Sequence, residues 1–351
     1  MNKNMNNIKE NIQNEQILNI LNFKKESPDN EDIEIKQLNK VLRNNIPNEY
    51  NVLKMVGNDN FGKLYLLTNN NKDKFICKKI NKKPITNQIY NQLNFELKLL
   101  KYLSSNTSVK KFINPCLDNY IDKKNNYIYT IFPVINGITL ENFKKNFNSL
   151  TKNNSIEIKK RLIKSLLNAF SKIHKLNIIH HNINENNIIV MIDDMNTINV
   201  KITDFGLGCG FYKIPKNDIY NLKNNNYLQK KCDSNDFKYN IKKIDLDKLK
   251  NSNFLINGIK YDVWKLGTIF INLIMPEINI NINDTIDINT NDYFINFNKK
   301  YREQILNNIE NVDDKLLLYL KNIIEHMISD KNDRKNCDYV MDNIILSEKY
   351  D

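Results

Sequence analysis

Lys78 stands in Lys74-Phe75-Ile76-Cys77-Lys78, a run that otherwise reads as a buried strand, and Glu96 follows on a segment whose Leu93, Leu97, Leu100 and Leu103 recur at helical spacing. A lysine on a strand and a glutamate on a neighbouring helix can pair, and the pair can hold the ammonium against nucleotide phosphates. Two solvated surface charges are the alternative, and Lys79 competes for the lysine's part, so strand register decides. Upstream, Gly57-Asn58-Asp59-Asn60-Phe61-Gly62-Lys63-Leu64 is a strand-turn-strand glycine loop. Close backbone approach at such a loop lets amide groups bind phosphate oxygens, although a hairpin with no ligand uses the same glycines.

Further along, Ile178-Ile179-His180-His181-Asn182-Ile183-Asn184-Glu185-Asn186-Asn187-Ile188-Ile189-Val190 precedes Val200-Lys201-Ile202-Thr203-Asp204-Phe205-Gly206. This stretch resembles the catalytic loop of protein kinases and the magnesium motif that follows it. The glycine loop, Lys78, Glu96, the loop at 180–187, Asp204 and then Asp262-Val263-Trp264-Lys265-Leu266-Gly267, similar to the family's buried central helix, come in the family's order. Asn114-Pro115, Asn136-Gly137 ahead of Leu140, and Arg334 match further landmarks. The likeness covers residues 50 to about 348 and is generic to serine/threonine-type kinases. Aminoglycoside-phosphotransferase-like proteins share the two-lobe plan but normally lack the Asp-Val-Trp helix.

The resemblance implies an α+β, bilobal protein-kinase-like fold, with a β-rich N-lobe over 49–135 and a helical C-lobe over 136–348, ATP binding between them. It implies that Val56 and Leu64 cover the adenine, that Gly57 and Gly62 approach the phosphates, and that Ile131 is the gatekeeper with Phe132 to Val134 as hinge. Lys78 and Glu96 would form the ion pair. Asn187 and Asp204 would hold Mg²⁺, which takes hard oxygen ligands together with waters and phosphate oxygens.

Departures from the family pattern decide what chemistry to expect. Asn182 stands where the family has the aspartate that accepts the substrate hydroxyl proton, and an amide is no base. Asn184 replaces a lysine that offsets charge on the transferring phosphate. His181 replaces the arginine that clamps a phosphorylated activation loop, and a mostly neutral imidazole makes no bidentate phosphate contact. Asp59 takes the place of the loop's second glycine and brings negative charge toward the phosphates. The Ala-Pro-Glu signature expected near Lys250 is not recognisable, which leaves Asp247 as the substitute partner for Arg334. Two functions follow as expectations: an ATP-binding pseudokinase or severely impaired kinase that engages a protein partner, or an active serine/threonine kinase acting on protein hydroxyls.

The elements that must position these residues are legible in outline. Residues 1–48 alternate Asn, Lys, Glu and Ile and read as a polar, partly disordered extension, with a short amphipathic helix possible at Ile17 to Phe23. Ile158, Leu162, Leu166, Phe170 and Ile173 mark one face of a core helix over Ile156 to Leu176. Polar insertions are expected over about 213–253 and over 281–298. Leu266 to Met275, broken by polar residues and ended by Pro276, is far short of the roughly 20 residues that span a bilayer and reads as buried helix. Five scattered cysteines argue for free thiols in a reducing, intracellular and cytoplasmic setting, and no apolar run resembles a signal peptide. The formal charge of +12 is spread through a chain rich in Lys, Asn and Ile, without the aromatic-and-arginine clusters of a nucleic-acid reader. His174 and His326 have no partner at metal-ligand spacing, and His180 reads as a packing residue.

Overall fold

The computed structural model describes residues 28–59, 62–81, 87–122, 124–145, 152–193, 197–205, 209–213, 227–229, 253–276, 303–305, 307–308, 310, 312–329 and 333–348. The chain forms two compact units, one over residues 2–138 with 201–206, the other over 139–200 and 207–351. The α+β plan expected from the resemblance is present, the first unit built on a sheet and the second mainly on helices.

In the first unit, β1 (Asn51–Asp59), β2 (Gly62–Thr68), β3 (Lys74–Asn81), β4 (Asp118–Asp122) and β5 (Tyr127–Pro133) form one antiparallel sheet in the order β1-β2-β3-β5-β4. Short apolar runs alternate along these strands, so each strand commits one set of residues to each face. Tyr65 and Leu67 of β2, Cys77 of β3, and Tyr129 and Ile131 of β5 fall on one face and share a buried core.

That face is covered by helix α1 (Pro28–Asn45), which lies inside the segment that reads from sequence as a polar extension. Proline suits the first turn of a helix, whose amide protons have no intrahelical partner. Leu38, Leu42 and Ile46 follow at spacings of four and sink to 2%, 0% and 5% exposure against the sheet. The extension is thus structured over this stretch because it carries an apolar seam. The possible helix at 17–23 and the insertion at 281–298 lie outside the described residues. Helix α2 (Asn87–Ser105) follows β3, as the leucine spacing predicts.

The second unit is organised by α3 (Leu140–Lys145), α4 (Lys152–Lys175), α5 (Asn253–Ile274), α6 (Asp314–His326) and α7 (Cys337–Ser347). The predicted face of α4 is buried, with Ile158, Leu162, Leu166, Phe170 and Ile173 at or near zero exposure. Trp264 of α5 is completely buried, and α5 packs closely on α6 because Gly267 has no side chain. A Cβ there would lie 2.8 Å from the Met327 Cβ. Asp313 and Asn336 cap α6 and α7 through their side-chain oxygens. Glu348 beyond α7 ties back to Lys164 of α4 and to the Tyr319 hydroxyl of α6.

Two small sheets complete this part of the chain: β6 (Ile138–Thr139) with β8 (Ile188–Ile192) and β9 (Ile198–Ile202), and β7 (Ile178–Ile179) with β10 (Cys209–Lys213) and β11 (Tyr227–Gln229). The three-residue β11 sits within the insertion read over 213–253, where a run this short gives no period to detect. Among the described residues no helix is long and apolar enough to cross a membrane.

Candidate functional site

Within the sheet, Lys78 is the cross-strand partner of both Leu64 and Thr130. Pleating puts directly opposed residues on the same face, so Lys78 shares its face with Leu64, Ile76, Thr130 and Phe132. Lys79 lies on the opposite face, where its ammonium is 3.7 Å from Glu34 of α1 and 4.6 Å from the centre of the Tyr127 ring. Register therefore separates the two lysines: one is occupied by α1, the other faces away from it.

The glycine hairpin runs from the end of β1 into β2. Gly57 pairs with Leu64 at a bulge in β1, and half-buried Val56 lies inside that irregular stretch. Gly62 passes so close to β3 that a Cβ would lie 2.2 Å from the Lys79 carbonyl oxygen. No other residue fits without shifting backbone.

The expected gatekeeper, Ile131, is fully buried on the α1 side of the sheet with Cys77, so it does not share a face with Lys78. The physical reason is the two-residue period of a strand, in which a one-residue offset exchanges the faces. Thr130, 6% exposed, and Phe132 occupy the Lys78 side. The Val134 amide donates to the Lys74 carbonyl at 3.2 Å, and the Val134 side chain is exposed. Glu96 is half-buried on α2. Its charge reaches Cys116, whose thiol is pushed up to about 12, mainly by burial.

In the second unit, the loop between β7 and β8 carries the remaining polar residues, and Asp262 of α5 anchors it from beneath. The Asp262 carboxylate is completely buried and accepts the backbone amides of His180 at 2.7 Å and His181 at 2.9 Å. The His174 Nε2 lies 3.1 Å from it. Burial pushes the Asp262 carboxyl up, but the hydrogen bond to His174 and the three nearby imidazoles outweigh this and hold it below the usual range. His181 takes a left-handed conformation, φ 63°, which two amides converging on one carboxylate help to hold. His180 is fully buried edge-on to Phe170, a packing position.

Three asparagines form the rest of the loop. The Asn187 side-chain amide donates to the Asn182 carbonyl at 2.8 Å, so its hydrogen-bonding nitrogen is turned inward. Asn184 caps the short helical turn at Glu185–Asn187, its Oδ1 accepting from the Asn186 and Asn187 amides. Its Nδ2 reaches the Asn182 carbonyl at 3.2 Å and the Asn182 Oδ1 at 3.4 Å. The acid inside the loop, Glu185, is 2.8 Å from the Lys144 ammonium. Positions 182, 184 and 187 thus supply amides and no carboxylate.

Asp204, two residues beyond β9, is exposed and in a left-handed conformation, φ 62°, while the following Phe205 is fully buried. Left-handed backbone is uncommon for residues other than glycine, and aspartate is among those that tolerate it. Gly206, Asp247 and the side chain of Asp59 lie outside the described residues. Arg334, buried near Trp264, donates to the carbonyls of Ser329 at 2.8 Å and Lys260 at 3.4 Å.

Sequence reasoning missed Glu34, Thr130 and the anchoring parts of Asp262 and His174. An Asp on a strongly apolar helix was the available signal for Asp262, since a buried carboxylate needs partners. His174 gave none, because its partner lies far along the chain.

A family model described as Protein kinase domain matches residues 50–343. Among curated proteins, the chain is 32% identical over 212 residues to the probable serine/threonine-protein kinase fnkE of Dictyostelium discoideum, covering 57% of this chain and 15% of that protein. It is 30% identical over 174 residues to fhkA, a probable serine/threonine-protein kinase of the same organism, covering 48% and 28%. The probable serine/threonine-protein kinase zyg-1 of Caenorhabditis elegans is 24% identical over 158 residues, covering 45% and 20%. The matches span less than a third of each of these relatives.

Proposed function

Because this chain belongs to the protein kinase family, we propose that it binds Mg-ATP through a kinase-type site and that its phosphoryl transfer is severely impaired. The family in general uses ATP and Mg²⁺. The observation that carries the impairment is the all-amide loop, in which Asn182 takes the base position and is bonded to Asn184 rather than accompanied by a lysine.

The residues present suit the nucleotide and its metal. Asn187 brings a side-chain carbonyl oxygen and Asp204 a carboxylate at the positions where the family holds its metal, and these two would be the protein ligands. Both are hard oxygen donors of the kind Mg²⁺ takes. When bound, the ion neutralises charge on the β- and γ-phosphates. Lys78 holds phosphate oxygens by charge, Gly57 and Gly62 admit the phosphates to the backbone, and Val56 and Leu64 cover the base. Phe132 or Thr130 takes the gatekeeper place expected of Ile131, and the hinge shifts by one residue to follow. Missing a general base costs about 10² to 10⁴ in rate.

A second reading, an active serine/threonine kinase, is favoured by the relatives, which are named as probable serine/threonine-protein kinases. Kinase catalysis is largely positioning and electrostatics, and Asn182 can orient a hydroxyl without taking its proton. In either reading the partners are ATP and a protein, and the scattered thiols favour an intracellular setting.

Transfer of radiolabelled phosphate from ATP to a generic basic protein separates the two. The parent is expected to be nearly inert, Asn182→Asp to gain about 10² or more, and Asn182→Asp with Asn184→Lys to gain further. A parent turning over at about 1 s⁻¹ or faster would establish the enzyme instead. Mg-ATP should raise the melting temperature of the parent and not of Lys78→Ala, since a ligand bound only by the folded state stabilises it. An unchanged response in Lys78→Ala would remove that lysine from the site.

A further inference from the structure

Lys63 and Lys79 are direct cross-strand partners at the base of the glycine hairpin. Like charges directly opposite on antiparallel strands repel and loosen the pairing. Here they flank the point where Gly62 runs tightest against the β3 backbone. Helix α1 places Glu34 between them. Its Oε2 is 3.0 Å from the Lys63 ammonium and accepts from the Tyr65 hydroxyl at 2.9 Å, while Oε1 is 3.7 Å from the Lys79 ammonium. Glu34 and Lys63 are each 28% exposed and Lys79 only 11%, so the cluster is partly withdrawn from water and its charges are less screened than on an open surface.

The same helix holds β1. The Asn39 Oδ1 accepts the Val52 backbone amide at 2.9 Å, and Arg43 donates to Asn51 at 3.2 Å. Below these polar contacts Leu38 and Leu42 are buried against the sheet face that carries Tyr65 and Cys77. One helix therefore grips all three strands that carry the hairpin and Lys78. Burial alone would raise the Glu34 carboxyl, but hydrogen bonds from Lys63 and Tyr65 and the nearby lysine charges bring it below its usual value, so it is ionised in the cluster.

We propose that α1 is a built-in clamp on the glycine hairpin and that Glu34, by bridging Lys63 and Lys79, is a positioning residue for the nucleotide phosphates. This rests on the nucleotide-site reading above. Glu34 touches no substrate; it acts through the two strands. Without it, Lys63 and Lys79 stand opposed across the β2–β3 pair with one counter-charge fewer, which loosens β2 from β3 beside Lys78.

The test uses the full chain and amide hydrogen exchange over residues 63–68, with Mg-ATP titration in parallel. Glu34→Gln should speed exchange over this strand about two- to five-fold and weaken Mg-ATP binding by a similar factor, the range expected from one cross-strand pair. Adding Lys63→Gln to Glu34→Gln removes the repulsion and should return both readouts to within about two-fold of the parent, which loss of a merely structural contact would not do. Glu34→Gln indistinguishable from the parent, or no rescue by Lys63→Gln, overturns the clamp. If exchange responds and is rescued but Mg-ATP affinity does not change, Glu34 braces the sheet and the positioning role is overturned. A parent that does not bind Mg-ATP at all overturns the nucleotide-site reading and the positioning role with it, while exchange in the free protein still decides whether the clamp exists.

Discussion

Asn184 faces both ways along its loop, capping the turn at Glu185–Asn187 with its oxygen and reaching Asn182 with its nitrogen. Restoring a lysine there adds charge near the phosphates but removes a cap, at about 1 kcal/mol. Gain in transfer and loss of stability should therefore appear together in the double variant. Asp262 is the more consequential buried group. Its folded carboxyl ionises below the unfolded value of about 3.9. The stability it contributes is therefore complete above that pH and is lost as pH falls through the depressed folded value. Asp262→Asn should cost about 3 kcal/mol at pH 7 in urea denaturation, because its single carbonyl oxygen can accept only one of the His180 and His181 amides and its NH₂ would meet the other. The gap to the parent should narrow below about pH 4, and a gap constant with pH would show that packing, not charge, anchors the loop. The order of Lys78, Glu96, Asn182, Asn187 and Asp204 was legible because residue types and spacing survive without a structure. Which of Thr130, Ile131 and Phe132 shares a face with Lys78 was not, since an offset of one residue exchanges the faces of β5 and leaves the composition unchanged.

Helix α1 shows the same limit one level up. Ile35, Leu38, Leu42 and Ile46 recur every three or four residues, so the seam was written in the sequence. It was hidden by a polar stretch in which no apolar run stands out, and by reading residues 1–48 as one piece. Helix α4 was legible because its stripe is longer and bounded. The short β11 was not, because pairing with β10 and not local period defines it. Leu42, fully buried between α1 and the sheet, is the place to weigh the helix. Leu42→Ala should cost about 3 kcal/mol, read as a lower urea midpoint with an unchanged slope. A loss below about 0.5 kcal/mol would mean that α1 contributes little to holding the sheet together.

Across the molecule, the sheet-built unit and the helix-built unit each follow from a pattern that composition alone could not supply. Alternation over short runs gives the first, and long amphipathic stripes give the second. The family's generic plan fixed the order of elements over residues 50–343 and left open helix α1, which lies before that span. The Ala-Pro-Glu landmark had no counterpart in sequence, and Arg334 meets backbone carbonyls of Ser329 and Lys260 beside Trp264.

The thiol of Cys77 lies at zero exposure beneath α1, and burial pushes its pKa up to about 12. Only the thiolate attacks electrophiles, so this sulfur is chemically silent until the helix lifts away. That makes it a clock. The rate at which a thiol reagent modifies Cys77 in the native protein reports how often α1 leaves the sheet. Cys337, buried on α7 in the other unit, serves as the internal reference. Leu42→Ala should quicken modification of Cys77 about ten-fold or more while leaving Cys337 near its parental rate, as read by peptide mass spectrometry over time. Equal acceleration at both sulfurs would mean that the helix departs only when the whole chain melts.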